Sequence, residues 1–208
     1  VMKGLPMTYY RDLQEDKAYI LGASNVVLPT LRIFAAMVPA LGFNLERMRE
    51  IWSKCEPIMS NDPVDLYLQR RVPGLDFVPD RVRFHPNLDY WAPPANDGGK
   101  PVLLGRFPAM VAKAFDAEGR FVQLHKTYLT PEGNKADVPV VKKTERGIGI
   151  NGFAVPIAPI KGDTLGVAEG IETALAASMF RGIPVWPCLN GPSMAAFSVP
   201  SKLLETVQ

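Results

Sequence analysis

Apolar and polar positions along this chain change their period, and each change marks a different kind of element. Leu31, Phe34, Met37, Val38 and Leu41 recur at helical spacing and predict a helix within residues 1–45. Met48, Ile51 and Trp52 share one side of a second predicted helix over 45–57. A third, over 63–71, follows Asn61 or Asp62 as cap. From about residue 80 to 160 the period shortens and the chain reads as mainly β. Residues 108–115 form an apolar strand, Asp116-Ala117-Glu118-Gly119 a hairpin-type turn, and 120–129 the return strand. Thr130-Pro131-Glu132-Gly133-Asn134 is another turn, and 138–141 a further strand of the same antiparallel sheet. Residues 89–101, rich in Pro and Gly, read as a flexible loop. Alternation along the return strand puts Gln123, His125 and Thr127 on one face.

The last third changes pattern again. Residues 164–168 read as a short buried strand, and 171–180 as a helix with Ile171, Leu175 and Met179 along one side. Gly182 stops that helix. Residues 183–189 form a second apolar strand, and Asn190-Gly191-Pro192-Ser193 a second strand-to-helix turn. Such β-α-β-α alternation predicts a parallel sheet. Glu169 then projects from the carboxyl end of a strand, where open α/β sheets gather ligands, and Gly170 allows close approach of a phosphate, metal or backbone. Taken alone, Glu169 is equally well a first-turn acid favoured by the helix dipole.

Composition narrows the class without naming a function. The chain has 208 residues, 47% of them hydrophobic and 21% charged, which describes a globular protein able to bury a core. No apolar run approaches the ~18 residues of a membrane span, and the longest candidate is broken by Pro29, Arg32 and Pro39. Residues 1–21 lack the apolar core of a signal peptide, so a cytoplasmic location and no membrane partner are expected. Cys55 and Cys188 stand far apart with no paired Cys or His nearby, which leaves no zinc site in this chain.

The segment Glu169-Gly170-Ile171-Glu172-Thr173-Ala174-Leu175, flanked by the strand before it and by Pro184-Val185-Trp186 and Asn190-Gly191 after it, resembles the opening half of a Toprim domain. Upstream blocks narrow the likeness: Asp62 to Arg71, Val82-Arg83-Phe84-His85-Pro86, Leu124 to Leu129 and Gly133-Asn134-Lys135-Ala136 are similar to the region before Toprim in phage and plasmid primases and primase-helicases. The resemblance covers residues 46–208. It implies a mixed α+β subdomain with antiparallel strands over 46–160 and the first half of a Rossmann-like Toprim domain over 161–208, after a helical segment of unknown role over 1–45. It also implies Mg2+ or Mn2+ held by Glu169 together with a later Asp-x-Asp pair, for primer synthesis from nucleoside triphosphates on single-stranded DNA. A helicase domain or subunit is a further expected partner.

That Asp pair has no counterpart, because residues 203–208 read as the start of the strand that would carry it. The expectation is a fragment that is inactive by itself. Many Toprim proteins carry an acid four residues after the Glu; here Thr173 stands there and Glu172 one residue earlier, so either Thr173 does a lesser job through its hydroxyl or Glu172 swings in toward the metal, directly or through a neighbour, a solvated helix face being its other reading. Arg70, Arg71, Arg83, His125, Lys126 and Lys135, with Asn190 and Gly191, are the candidate nucleic-acid and nucleotide contacts. A Toprim nuclease or topoisomerase-like enzyme, and a non-catalytic module that binds single-stranded DNA or a replication partner, are the alternatives. His85 and His125 lack the neighbours of a nucleophilic triad. Gly147-Ile148-Gly149-Ile150-Asn151-Gly152 fits neither a Walker nor a dinucleotide spacing.

Overall fold

A computed structural model describes residues 44–94, 99–147, 151–160 and 162–200. The helical spacing read within residues 31–41, residues 95–98 of the expected loop, residues 148–150 of the glycine-rich stretch and the strand start at 203–208 lie outside them.

The fold is mixed α/β, with a four-stranded antiparallel sheet and a separate two-stranded parallel one. Helix α1 spans 44–53. Helix α2, Pro63–Arg71, begins where sequence chemistry puts it: Pro occupies its first position, and the Asp62 carboxylate accepts from the Val64 and Asp65 amides. Strands β1 (Val82–Ala92), β2 (Val102–Phe115), β3 (Phe121–Tyr128) and β4 (Lys142–Arg146) follow and pair in sequence order. The β2–β3 turn is closed by Asp116, which accepts from the amides of Glu118 and Arg120, and by Gly119 at φ 76°.

Two elements correct the pattern-based reading. Residues 89–92 are not loop: β1 continues through them, with Asp89 opposite Arg106 and Tyr90 opposite Gly105. Tyr90 is fully buried and packs edge-on against Tyr128, ring centroids 4.9 Å apart, which outweighs the local turn signals. Residues 138–141 are not a strand either, since pairing with β3 starts only at Lys142. Pro139 has no amide to donate, and the Val140 amide donates instead to the Tyr90 hydroxyl. Pro86 and Pro108 sit where the β1–β2 register shifts, between His85 and Leu88, so neither interrupts a regular ladder.

The parallel unit runs β5 (Gly166–Ala168), α3 (Ile171–Arg181), β6 (Val185–Pro187) and α4 (Gly191–Ala195). Gly182 ends α3 in the left-handed conformation at φ 68°. β5 and β6 pair in parallel, Val167 opposite Trp186. One apolar core joins this unit to the antiparallel sheet. It takes Val64 and Leu68 from α2, Met110, Ala112 and Ala114 from β2, Ile171 and Leu175 from α3, and Trp186 from β6. A second core lies on the other face of the sheet, where Met48 of α1 covers Ala109, Val111, Leu124 and Tyr128. Among the described residues no helix is long and apolar enough to cross a membrane.

Candidate functional site

The carboxyl edge of the parallel pair gathers two of the residues singled out from sequence. Gly166 lets the strands close up: a Cβ there would lie 2.9 Å from a Val185 methyl. The Cys188 amide donates to the Ala168 carbonyl at 2.8 Å, so the chain leaves both strands at the same level. Glu169 follows β5 directly and is exposed. Gly170 is the N-cap of α3 in extended conformation, with no side-chain cap. After β6, Leu189 takes a left-handed φ of 66°, a strained setting for a bulky residue, and Asn190 then caps α4 by accepting from the Ser193 amide at 2.8 Å. Glu169 and Asn190-Gly191 thus stand at one edge, each at the start of a helix.

Glu172 is placed differently. It turns inward from the first turn of α3, and its carboxylate accepts from the Tyr67 hydroxyl of α2 and from Lys142 Nζ of β4 at 3.0 and 3.3 Å. Burial alone would raise its pKa, but the Tyr67 hydroxyl and the Lys142 ammonium hold it down to about 2. This junction ties α2, β4 and α3 together immediately behind Glu169. Sequence reasoning missed Tyr67 and Lys142, because the contacts span long separations that no local spacing encodes.

A hard cation such as Mg2+ needs several oxygen ligands. Among the described residues no group of three or more His, Cys, Asp or Glu is placed to hold a metal ion. Glu169 is one open carboxylate, and Glu172 is engaged by a hydroxyl and an ammonium. These residues by themselves do not fit the metal.

The basic candidates fall on three surfaces. Arg70 and Arg71 end α2, exposed, and Arg70 donates to Asn134 Oδ1 at 2.5 Å, beside exposed Lys135. Gly133 allows this approach, since a Cβ there would lie 2.6 Å from Leu66 Cβ and 2.8 Å from the Pro63 carbonyl. Arg83, on β1, lies over the Trp52 ring at 4.8 Å. His125 and Lys126 are both buried, because β3 is an inner strand covered on both faces. Alternation sends them to opposite faces, and the row of Gln123, His125 and Thr127 read from the sequence as one face is buried rather than open. Burial pushes the His125 imidazole down to about 4, with the nearby Lys142 adding to the effect, so it is neutral near pH 7. The Lys126 ammonium donates to Glu145 at 2.6 Å, and Arg47 reaches the same carboxylate at 3.2 Å. His85 accepts from the Asn87 amide at 3.2 Å.

Comparison with known proteins adds a family. Residues 44–155, more than half of the sequence, match the family described as Domain of unknown function (DUF7146). The chain belongs to that family. The DUF7146 region takes in α1, α2 and the whole antiparallel sheet, and stops before the turn that carries Glu169. Short stretches are also similar to argininosuccinate lyases. That of Desulfovibrio desulfuricans is 48% identical over 50 residues, 24% of this chain and 11% of the lyase. That of Oleidesulfovibrio alaskensis is 55% identical over 47 residues, 23% and 10% respectively. The chain spans about a tenth of the length of these curated relatives.

Proposed function

We propose that this chain belongs to a Toprim-type DNA primase or primase-helicase, in which Glu169 is the catalytic carboxylate that helps hold Mg2+ or Mn2+ for nucleotidyl transfer on a single-stranded DNA template. One observation carries the reading: a β-α-β unit with parallel strands presents an open carboxylate at its carboxyl edge, next to a second strand-to-helix turn. This chain's part is to position Glu169. Ile171, Ala174 and Leu175 seat α3 in the shared core, while Tyr67 and Lys142 fix its first turn through Glu172. The reading requires further oxygen ligands from residues other than those described.

Primer synthesis by the full-length protein, with single-stranded template, nucleoside triphosphates and Mg2+, tests this against a Glu169→Gln variant. Loss of at least 100-fold in synthesis, with an unchanged melting curve, is the expected result, on the order of what one positioned charge contributes. Undiminished synthesis by Glu169→Gln would defeat the assignment. If neither protein synthesises primers yet single-stranded DNA is bound, the chain is a binding module rather than an enzyme.

A further inference from the structure

We infer that the face of the antiparallel sheet turned away from Glu169 carries a second nucleic-acid surface, built from Arg49, Arg81, Arg83 and Lys113 around Trp52, Phe115 and Phe121. Lys113 shares its face of β2 with Val111 and Ala109, which belong to the core under α1, whereas α3 packs on the other core. The surface therefore goes beyond the Glu169 site and shares no residue with it.

Three observations point to a polyanion. Three of the four cations, Arg81, Arg83 and Lys113, are held on aromatic rings rather than on acids. Arg83 lies 4.8 Å and Lys113 4.4 Å from the Trp52 centroid, Lys113 is also 4.7 Å from that of Phe121, and Arg81 is 5.4 Å from that of Phe115. Every ion pair among the described residues is made elsewhere; none uses these four side chains. Like charges also crowd Lys113: burial first, then the Arg81 and Arg83 charges and to a lesser degree Arg49, push its ammonium down from the usual range, against a smaller opposite effect of Cys55. Finally, Arg81 sits at φ 61°, where Gly or Asn is the low-strain choice, and its carbonyl accepts from the Lys113 amide. Like charges and backbone strain are both kept at one place, a pattern expected where a ligand supplies the missing negative charge.

The chemistry favours a nucleic-acid strand over an acidic protein. A guanidinium lying on a ring keeps its edge N–H groups free for bidentate contact with phosphate oxygens. The rings of Trp52, Phe115 and Phe121 are half-buried, and the part of each left uncovered by its cation gives a base an aromatic surface to stack on. A single strand offers both phosphates and open base faces.

The test is fluorescence anisotropy of a labelled mixed-sequence DNA strand of about 20 nucleotides, titrated with this chain over a range of KCl concentrations. The Arg83→Gln/Lys113→Gln double variant keeps most of the stacked side-chain bulk, and is expected to weaken binding at least tenfold and flatten the slope of log K against log salt by about 1.4. Arg81→Gly removes one charge and relieves the left-handed backbone. It is expected to melt no lower than the parent yet flatten the slope by about 0.7. The strand-binding readout needs neither nucleotide nor Mg2+ nor synthesis, so a failure of the primase reading leaves this result standing. Absence of binding by the parent chain, or unchanged slopes in both basic-face variants, would overturn the inference. Equal displacement of the strand by polyglutamate at matched charge would also overturn it, in favour of an acidic protein partner.

Discussion

The two faces of the antiparallel sheet solve the same problem in opposite ways. Both bury polar side chains of β3. On the α1 face, Lys126 is paired with Glu145, and the Tyr128 hydroxyl donates to the Asp89 carbonyl at 3.0 Å. On the α3 face, Gln123 Nε2, His125 Nδ1 and Thr127 Oγ1 are buried without a hydrogen-bond partner among the described residues. A buried polar group with a partner adds modestly to stability, and one without costs the full loss of hydration. The α1 face is therefore built for stability, while the α3 face, which shares its core with the helix that positions Glu169, carries a polar row that stability alone does not explain.

Breaking the paired face gives the largest effect. Glu145→Ala would strand the Lys126 ammonium, which is only 7% exposed, and is expected to destabilise the fold by about 3 kcal/mol or more in denaturant titration. Burial already lowers the Lys126 pKa. Because that base is depressed in the folded state, the unfolded chain takes the proton first, and the variant is expected to regain stability as pH rises toward 10.5. A variant as stable as the parent at pH 7 would mean that the pair is ornamental and the contrast between the faces is false.

On the unpaired face the corresponding probe is pH. His125 is held at about 4 against an ordinary value of 6.5. The unfolded chain therefore takes up this proton first: stability is unaffected by it above pH 6.5 and falls as pH drops toward 4, by about 3 kcal/mol in total. The difference between the stability curves of the parent and a His125→Gln variant is expected to show that slope, and parallel curves would place the imidazole in contact with water.

This contrast also marks the limit of what the amino-acid order makes legible. Asp62 with Pro63, Gly119 and Gly182 act through neighbours in sequence, so α2, the β2–β3 turn and the end of α3 could be read directly. So could the β5–α3–β6 alternation and the exposed position of Glu169. The path of residues 89–92 could not, because Tyr90 is held by Phe107 and Tyr128 rather than by anything local. Strand β4 was hidden for another reason. Lys142-Lys143-Thr144-Glu145-Arg146 has no apolar alternation, since it is an edge strand whose charges discourage further pairing. His125 and Lys126 looked like surface residues because a single strand does not record how many layers cover it. The Tyr67–Glu172–Lys142 junction joins three elements and was invisible for the same reason.

The smallest effect is the most discriminating, because it compares adjacent residues with opposite expected signs. Thr127 is fully buried, and Val reproduces its branched shape without the unpartnered hydroxyl. Thr127→Val is expected to stabilise by about 1 kcal/mol, since burying that hydroxyl gains nothing in return. Tyr128→Phe removes a hydroxyl that does donate, to Asp89, and is expected to cost about 1 kcal/mol. Thermal midpoints should therefore move a few degrees in opposite directions at neighbouring positions of one strand. If Thr127→Val instead lowers the midpoint, its hydroxyl has a partner in solution. The row from Gln123 to Thr127 would then be a satisfied internal network, and the two faces would differ only in what does the satisfying.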